Sequence, residues 1–281
     1  TVIDATGDGL VCRRAGVPMQ VSAGGMQPMS LCFLLRNVDV TTALLRDHIH
    51  HTGLHGQSKH MGIYHALQKL AEQGEDVPQF GGPWFNSTMQ EDLICVNITR
   101  AAANAADRAQ LTQAECRMRE DAYKLGALLR KLYPEFAKAS IAEIAAQGGV
   151  RETYHIRGLY TLSGADILGG APCADGVAFC SHPVDIHSAQ DNTQTAQYFD
   201  TPCPVPYRVM VAAGFDNLIA AGRCVSCVDE AYASMRVQGT CMAIGEAAGV
   251  AAAMRRETGC AVTAVNTDDL RAQLQKQGAI V

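Results

Sequence analysis

NLIAAGRCVSCVDEAYASMRVQGTCMAIGEAAGVAAAM, residues 217–254, is the stretch whose reading decides the fold. It reads as an apolar strand over 217–221, a glycine turn at Gly222, a loop, and then a helix of mostly small residues. Gly and Ala on a helix face let another group come close to the backbone. Gly239 and Thr240 stand at the helix start, where unpaired N–H groups point at an anion. Dinucleotide-binding proteins use this strand–turn–helix geometry.

The stretch resembles the C-terminal flavin-contacting segment of the FAD-dependent oxidoreductases of the two-dinucleotide-fold type. There a strand ending in AGR is followed by an R-V-x-x-T-C-M-A-x-G-x-A-A-G helix. The matching residues are Ala221, Gly222 and Arg223, then Arg236, Val237, Thr240, Cys241, Met242, Ala243, Gly245, Ala247, Ala248 and Gly249. The opening TVIDATGDGL, residues 1–10, resembles the family's internal VIDATGDGD segment, where the chain passes close to FAD. A third match is VRETYHIRGLYTLSGADIL, residues 150–168, followed by PVDIH, residues 183–187. Two positions depart from the usual pattern: Gly239 where Pro is often found, and Glu246 where Gln is usual.

The resemblance implies an FAD cofactor and hydride transfer to or from a small, anionic organic substrate. The family's opening strand, G-x-G-x-x-G and helix are not in this sequence. The chain is therefore expected to be the C-terminal part of a longer flavoprotein. An alternative is a non-catalytic truncated binding module, or one half of a split flavoenzyme. The expected fold is α/β with α+β character. Residues 1–16 plus 216–281 would form a partial FAD-binding, Rossmann-like domain. Residues 17–215 would form an inserted substrate domain, a mixed sheet with helices.

Composition narrows the partners. With 48% apolar and 18% charged residues the chain is globular. A net charge of −5 without a basic stripe argues against nucleic acid. No apolar run reaches the roughly 18 residues of a membrane span. Eleven scattered cysteines point to a reducing cytoplasm rather than a disulfide scaffold. The apolar first strand and the small-residue helix are expected to be covered by an oligomer partner or an N-terminal half chain.

Along the chain, residues 1–6 read as a buried strand end and 8–15 as a short helix stopped by Gly16. Residues 29–38, 93–99 and 150–157 suit strands. Residues 41–52, 61–73 and 267–277 suit helices, the last capped by Asn266. Gly81, Gly82 and Pro83 read as a loop, and TPCPVPYR, residues 201–208, as a connector. Thr112 with Glu115, and Ser163 with Asp166, have capping spacing. Met118, Ala122, Leu125, Leu129, Leu132 and Phe136 recur at helical spacing. Glu115 with Arg119, and Glu120 with Lys124, suit i,i+4 pairs.

The candidate cofactor residues are Thr6, Gly7, Asp8, Gly222, Arg223, Arg236, Gly239, Thr240 and Cys241. Gly7 permits close backbone approach, while Asp8 suits either the cofactor or a helix cap. Arg223 and Arg236 suit pyrophosphate or ion pairs with Asp229 or Glu230. The candidate catalytic residues are His187, Asp185, Arg151 and His155. Asp185 and His187 fall on one side of a strand, as base and orienter would, and Arg151 suits an anionic substrate. No metal site is expected. Cys224-x-x-Cys227 has redox spacing without the usual context. The histidine run His48, His50, His51, His55, His60 and His65 reads as a polar segment.

Overall fold

The computed structural model describes residues 1–42, 45, 60–170 and 173–281. The chain opens with β1 (Val2–Asp4), α1 (Leu10–Ala15) and β2 (Met19–Gln20). There follow β3 (Phe33–Arg36), α2 (His60–Glu72), β4 (Phe80–Ser87), β5 (Ile94–Thr99), α3 (Arg108–Leu132) and β6 (Ser140–Ile144). Next come β7 (His155–Ile156), α4 (Gly164–Gly169), β8 (Gly176–Cys180) and β9 (Val184–His187). The last part holds β10 (Gln194–Gln197), β11 (Cys203–Pro206), β12 (Leu218–Ala220), α5 (Asp229–Met235), α6 (Gln238–Thr258) and α7 (Thr267–Lys276). Helices and strands are thus mixed, as an α/β chain requires.

Two compact units result. Unit 1 comprises Thr1–Met26, Glu152–Ile186 and Thr195–Val281; unit 2 comprises Gln27–Arg151 and His187–Gln194. Residues 17–26, 152–186 and 195–215 therefore group with the two chain ends rather than with the middle.

Unit 2 is built on a four-stranded sheet in the order β4-β5-β3-β6. Its pairings are antiparallel, not mixed. The long helix α3 lies with Met118, Ala122, Leu125 and Leu129 buried. Ala122, Leu125 and Leu129 share one core with Phe33, Leu35, Phe85, Val96 and Phe136. Each large side chain so buried contributes roughly 1.5–3 kcal/mol. The helix begins earlier than Thr112 predicts. The Asp107 carboxylate accepts from the N–H groups of Ala109 and Gln110 and takes the cap. Thr112 is interior, its hydroxyl donating to the Arg108 carbonyl. Glu115 does pair with Arg119 at 3.2 Å. Lys124, however, reaches Asp76 at 2.6 Å.

Three other expectations change. Gly81, Gly82 and Pro83 lie inside β4, because a register shift between Phe80 and Trp84 absorbs them. Residues 201–208 contain β11, paired antiparallel with β8; its alternating prolines leave Cys203 and Val205 able to donate. Of residues 150–157 only His155 and Ile156 form a strand, since Glu152 and Thr153 turn to Ser22 and Asp8. The expected helix over 41–52 and the histidines His48, His50, His51 and His55 lie outside the described residues.

In unit 1, β1 and β12 pair in parallel, with Ile3 opposite Ile219 and Asp4 opposite Ala220. β12 is wholly buried, but in β1 only Asp4 is. Val2 is 46% and Ile3 37% exposed, so the expected buried strand is open on this side. Helix α6 buries Ile244, Ala247, Ala248 and Ala251. Its Gly245 and Gly249 face open space. Ser163 and Asp166 form the expected capping box of α4, and Asn266 caps α7.

Candidate functional site

The chain leaves β1 through Thr6, Gly7, Asp8 and Gly9 into α1. Gly9, not Asp8, is the N-cap residue, in the left-handed region at φ 62°. The helix start is tied from a distance instead. The Asp4 carboxylate accepts from the Cys12 N–H at 2.8 Å and the Thr6 hydroxyl at 2.7 Å. The Thr6 oxygen accepts from the Leu10 N–H at 3.0 Å. Burial works to raise the Asp4 carboxyl, but the hydrogen bonds from Cys12 and Thr6 outweigh it and hold it below its ordinary value of 3.8. A depressed carboxyl stabilises the fold fully above its unfolded value and loses that contribution as pH falls through the folded one. Acid unfolding of wild type should therefore include an Asp4 component below pH 3.8. The Asp4→Asn variant should be less stable at neutral pH and lose less stability on acidification. Parallel curves for the two proteins would contradict this.

Strand β12 delivers Gly222 and Arg223 beside the same loop. The Ala221 N–H donates to the Asp4 carbonyl at 2.9 Å, and Gly222 then turns at φ 83°. Gly7 sits at φ 77°, and a Cβ there would meet Arg223 Nη2 at 2.5 Å. Arg223 Nη2 lies 3.3 Å from Asp8 Oδ1, which also accepts from the Thr153 hydroxyl at 2.9 Å. Arg223 Nη1 is buried and has no acceptor.

His155 holds this turn from behind. One ring nitrogen, Nδ1, lies 3.1 Å from the Arg223 carbonyl; the other, Nε2, lies 3.1 Å from Glu152 Oε1. Both side chains are buried, at 0% and 1% exposure. Glu152 Oε1 also accepts from the Ser22 hydroxyl at 2.5 Å, and Ser22 Oγ from the Asp229 N–H at 2.9 Å. The Tyr232 ring meets His155 edge-on, with centroids 4.4 Å apart. His155 is thereby a support of the Arg223 turn, with both nitrogens engaged.

Helix α6 starts at Gln238 after Val237, with no side chain capping it. Gly239 has no neighbour near its Cβ position. The Thr240 hydroxyl donates to the Phe179 carbonyl at 3.5 Å. Burial pushes the Cys241 thiol up, only partly offset by nearby Arg223, so it is no thiolate nucleophile. Arg236 does not take Asp229 or Glu230. Its Nη2 binds the Asp185 carbonyl at 2.9 Å and carboxylate at 3.0 Å, while its Nε is buried without an acceptor.

The four catalytic candidates divide between the two units. His155 belongs to the Arg223 turn and Asp185 to Arg236. Arg151 and His187 are in unit 2, where Arg151 Nη1 donates to the Pro28 carbonyl at 2.8 Å and the Ser30 hydroxyl oxygen at 2.5 Å. Arg100, which sequence reasoning missed, reaches the same Ser30 oxygen at 2.6 Å and His187 Nδ1 at 3.5 Å. A guanidinium only donates, so this contact favours the His187 tautomer with its proton on Nε2. The signal for Arg100 was a lone charge closing the apolar run ICVNIT. Arg208 is occupied by Asp175, at 2.8 and 3.0 Å. Cys224 and Cys227 are buried, and burial pushes the Cys224 thiol up to about 12 and Cys227 upward too. Neither suits thiolate chemistry.

The family model for FAD dependent oxidoreductases matches residues 1–274. The chain belongs to that family, whose cofactor is FAD. Searches of curated proteins and of solved structures return no match. Among the described residues, no helix is long and apolar enough to cross a membrane.

The residues present fit an anionic cofactor. A buried guanidinium nitrogen without an acceptor, a helix start without a side-chain cap, and a glycine where a Cβ would strike that guanidinium each suit a phosphate-bearing ligand.

Proposed function

We propose that this oxidoreductase moves a hydride between FAD and a small anionic organic substrate, with the FAD domain Rossmann-like and the protein cytoplasmic. The observation that supports placing the cofactor here is the buried, acceptorless Nη1 of Arg223, whose Nη2 lies beside Gly7. Thr6, Gly7 and Asp8 would line the cofactor together with Gly222 and Arg223, whose guanidinium packs against Gly7 and Asp8. Arg223 would bind a phosphate oxygen. The start of α6, at Gly239, Thr240 and Cys241, would stabilise negative charge on the reduced ring. Arg236 would complete the positive surroundings from its Asp185 anchor. The bound flavin supplies the hydride chemistry itself.

The substrate reading is supported by Arg100, Arg151 and His187 around Ser30 in unit 2. Two guanidinium groups suit a carboxylate. His187, held beside Arg100, would help position the substrate. The exposed Val2, Ile3, Leu10 and Val11 support a covering oligomer partner or N-terminal half chain.

The test is anaerobic bleaching of the flavin-loaded protein by small hydroxy and amino acids and by their amides. Bleaching by the carboxylates, with a raised KM in Arg151→Ala, is expected. Equal bleaching by the uncharged amides would remove the anionic-substrate reading.

A further inference from the structure

Two cysteines stand directly opposite one another in unit 1. The register of β11 on β8 pairs Cys203 with Cys180. Opposed residues of an antiparallel pair have Cα atoms about 4.5–5.5 Å apart and side chains on one face. That separation falls inside the roughly 4.4–6.8 Å window of a disulfide. Both are free thiols and both are buried, 1% and 2% exposed. The neighbouring Cys203 side chain holds Cys180 below its ordinary value, while the Cys180 side chain and burial push Cys203 up. Cys180 is then the nucleophile and Cys203 the resolving thiol. Cys203 also lines a cavity of about 200 Å3 with Cys173, Asp175 and Arg208.

We propose that Cys180 and Cys203 form a reversible disulfide, with a peroxide as the oxidant. The Cys180 sulfur attacks a peroxide oxygen and the O–O bond breaks. The departing hydroxide takes the Cys180 proton and leaves as water, and Cys180 becomes a sulfenic acid. The Cys203 sulfur then attacks the Cys180 sulfur, the S–O bond breaks, and hydroxide leaves with the Cys203 proton as a second water. In sum two thiols lose two electrons and two protons, and hydrogen peroxide is reduced to two waters. The bond closes the loop 180–203 and fixes β8, whose Phe179 carbonyl receives the Thr240 hydroxyl at the start of α6.

The experiment treats the whole chain with hydrogen peroxide and maps its peptides without reduction. A linked Cys180–Cys203 peptide pair is expected, with a Tm rise on the order of 5 °C or more, both reversed by dithiothreitol. Peptides recovered unlinked, free or with Cys180 as sulfinic acid, would overturn the proposal. The Cys203→Ala variant should show no such rise, and an equal rise there would also overturn it. If that variant does not fold, the wild-type map decides alone.

Discussion

Replacing Glu152 by Ala is expected to destabilise unit 1 by about 3–5 kcal/mol. Its carboxylate is 1% exposed and meets His155 Nε2 at 3.1 Å and the Ser22 hydroxyl at 2.5 Å. Removing it strands a buried imidazole N–H and a buried hydroxyl. The damage should also spread. His155 would lose the anchor that aims its other nitrogen at the Arg223 carbonyl, and Ser22 one end of its link to Asp229. Glu152→Gln keeps an oxygen for Ser22 and should cost less, about 1–3 kcal/mol. Urea unfolding followed by fluorescence and circular dichroism measures both variants. A change below about 0.5 kcal/mol for Glu152→Ala would show that this chain of contacts does not support the turn.

The second large effect is expected at Gly7. Its φ of 77° lies where a β-branched residue is a strong outlier, at a cost of order 1–3 kcal/mol. A Cβ there would also come within 2.5 Å of Arg223 Nη2. Gly7→Val should thus move Arg223 off Asp8, and with it the nitrogen offered to the cofactor. Hydrogen bonds to a charged group contribute about 1.5–3 kcal/mol, so FAD affinity should fall roughly 10–100-fold. Arg223→Ala should produce a similar loss of affinity with less loss of stability.

Much of this arrangement was legible from residue type. Residues 217–254 announced β12, the Gly222 turn and α6 because an apolar run, a glycine and a small-residue helix each have one local solution. What was missed depended on distant chain. Asp107 displaced Thr112 as a cap because either residue satisfies the local pattern. Asp4 tethers α1 through the Cys12 N–H, whereas capping by Asp8 was one of the two readings its position allowed. The prolines of 201–208 suggested a connector, yet a strand that pairs through alternate residues tolerates them. Asp185 and His187 share a strand face, but Arg236 engages the first and Arg100 the second, and neither arginine is near them in sequence.

The most direct test is a titration of the full chain with FAD, read by quenching of flavin fluorescence, for wild type, Gly7→Val and Arg223→Ala. Saturable binding by wild type that weakens tenfold or more in both variants is the result expected from Arg223 Nη1 as a phosphate ligand. Equal affinity in all three proteins, or none in wild type, would contradict the assignment of this turn to the cofactor.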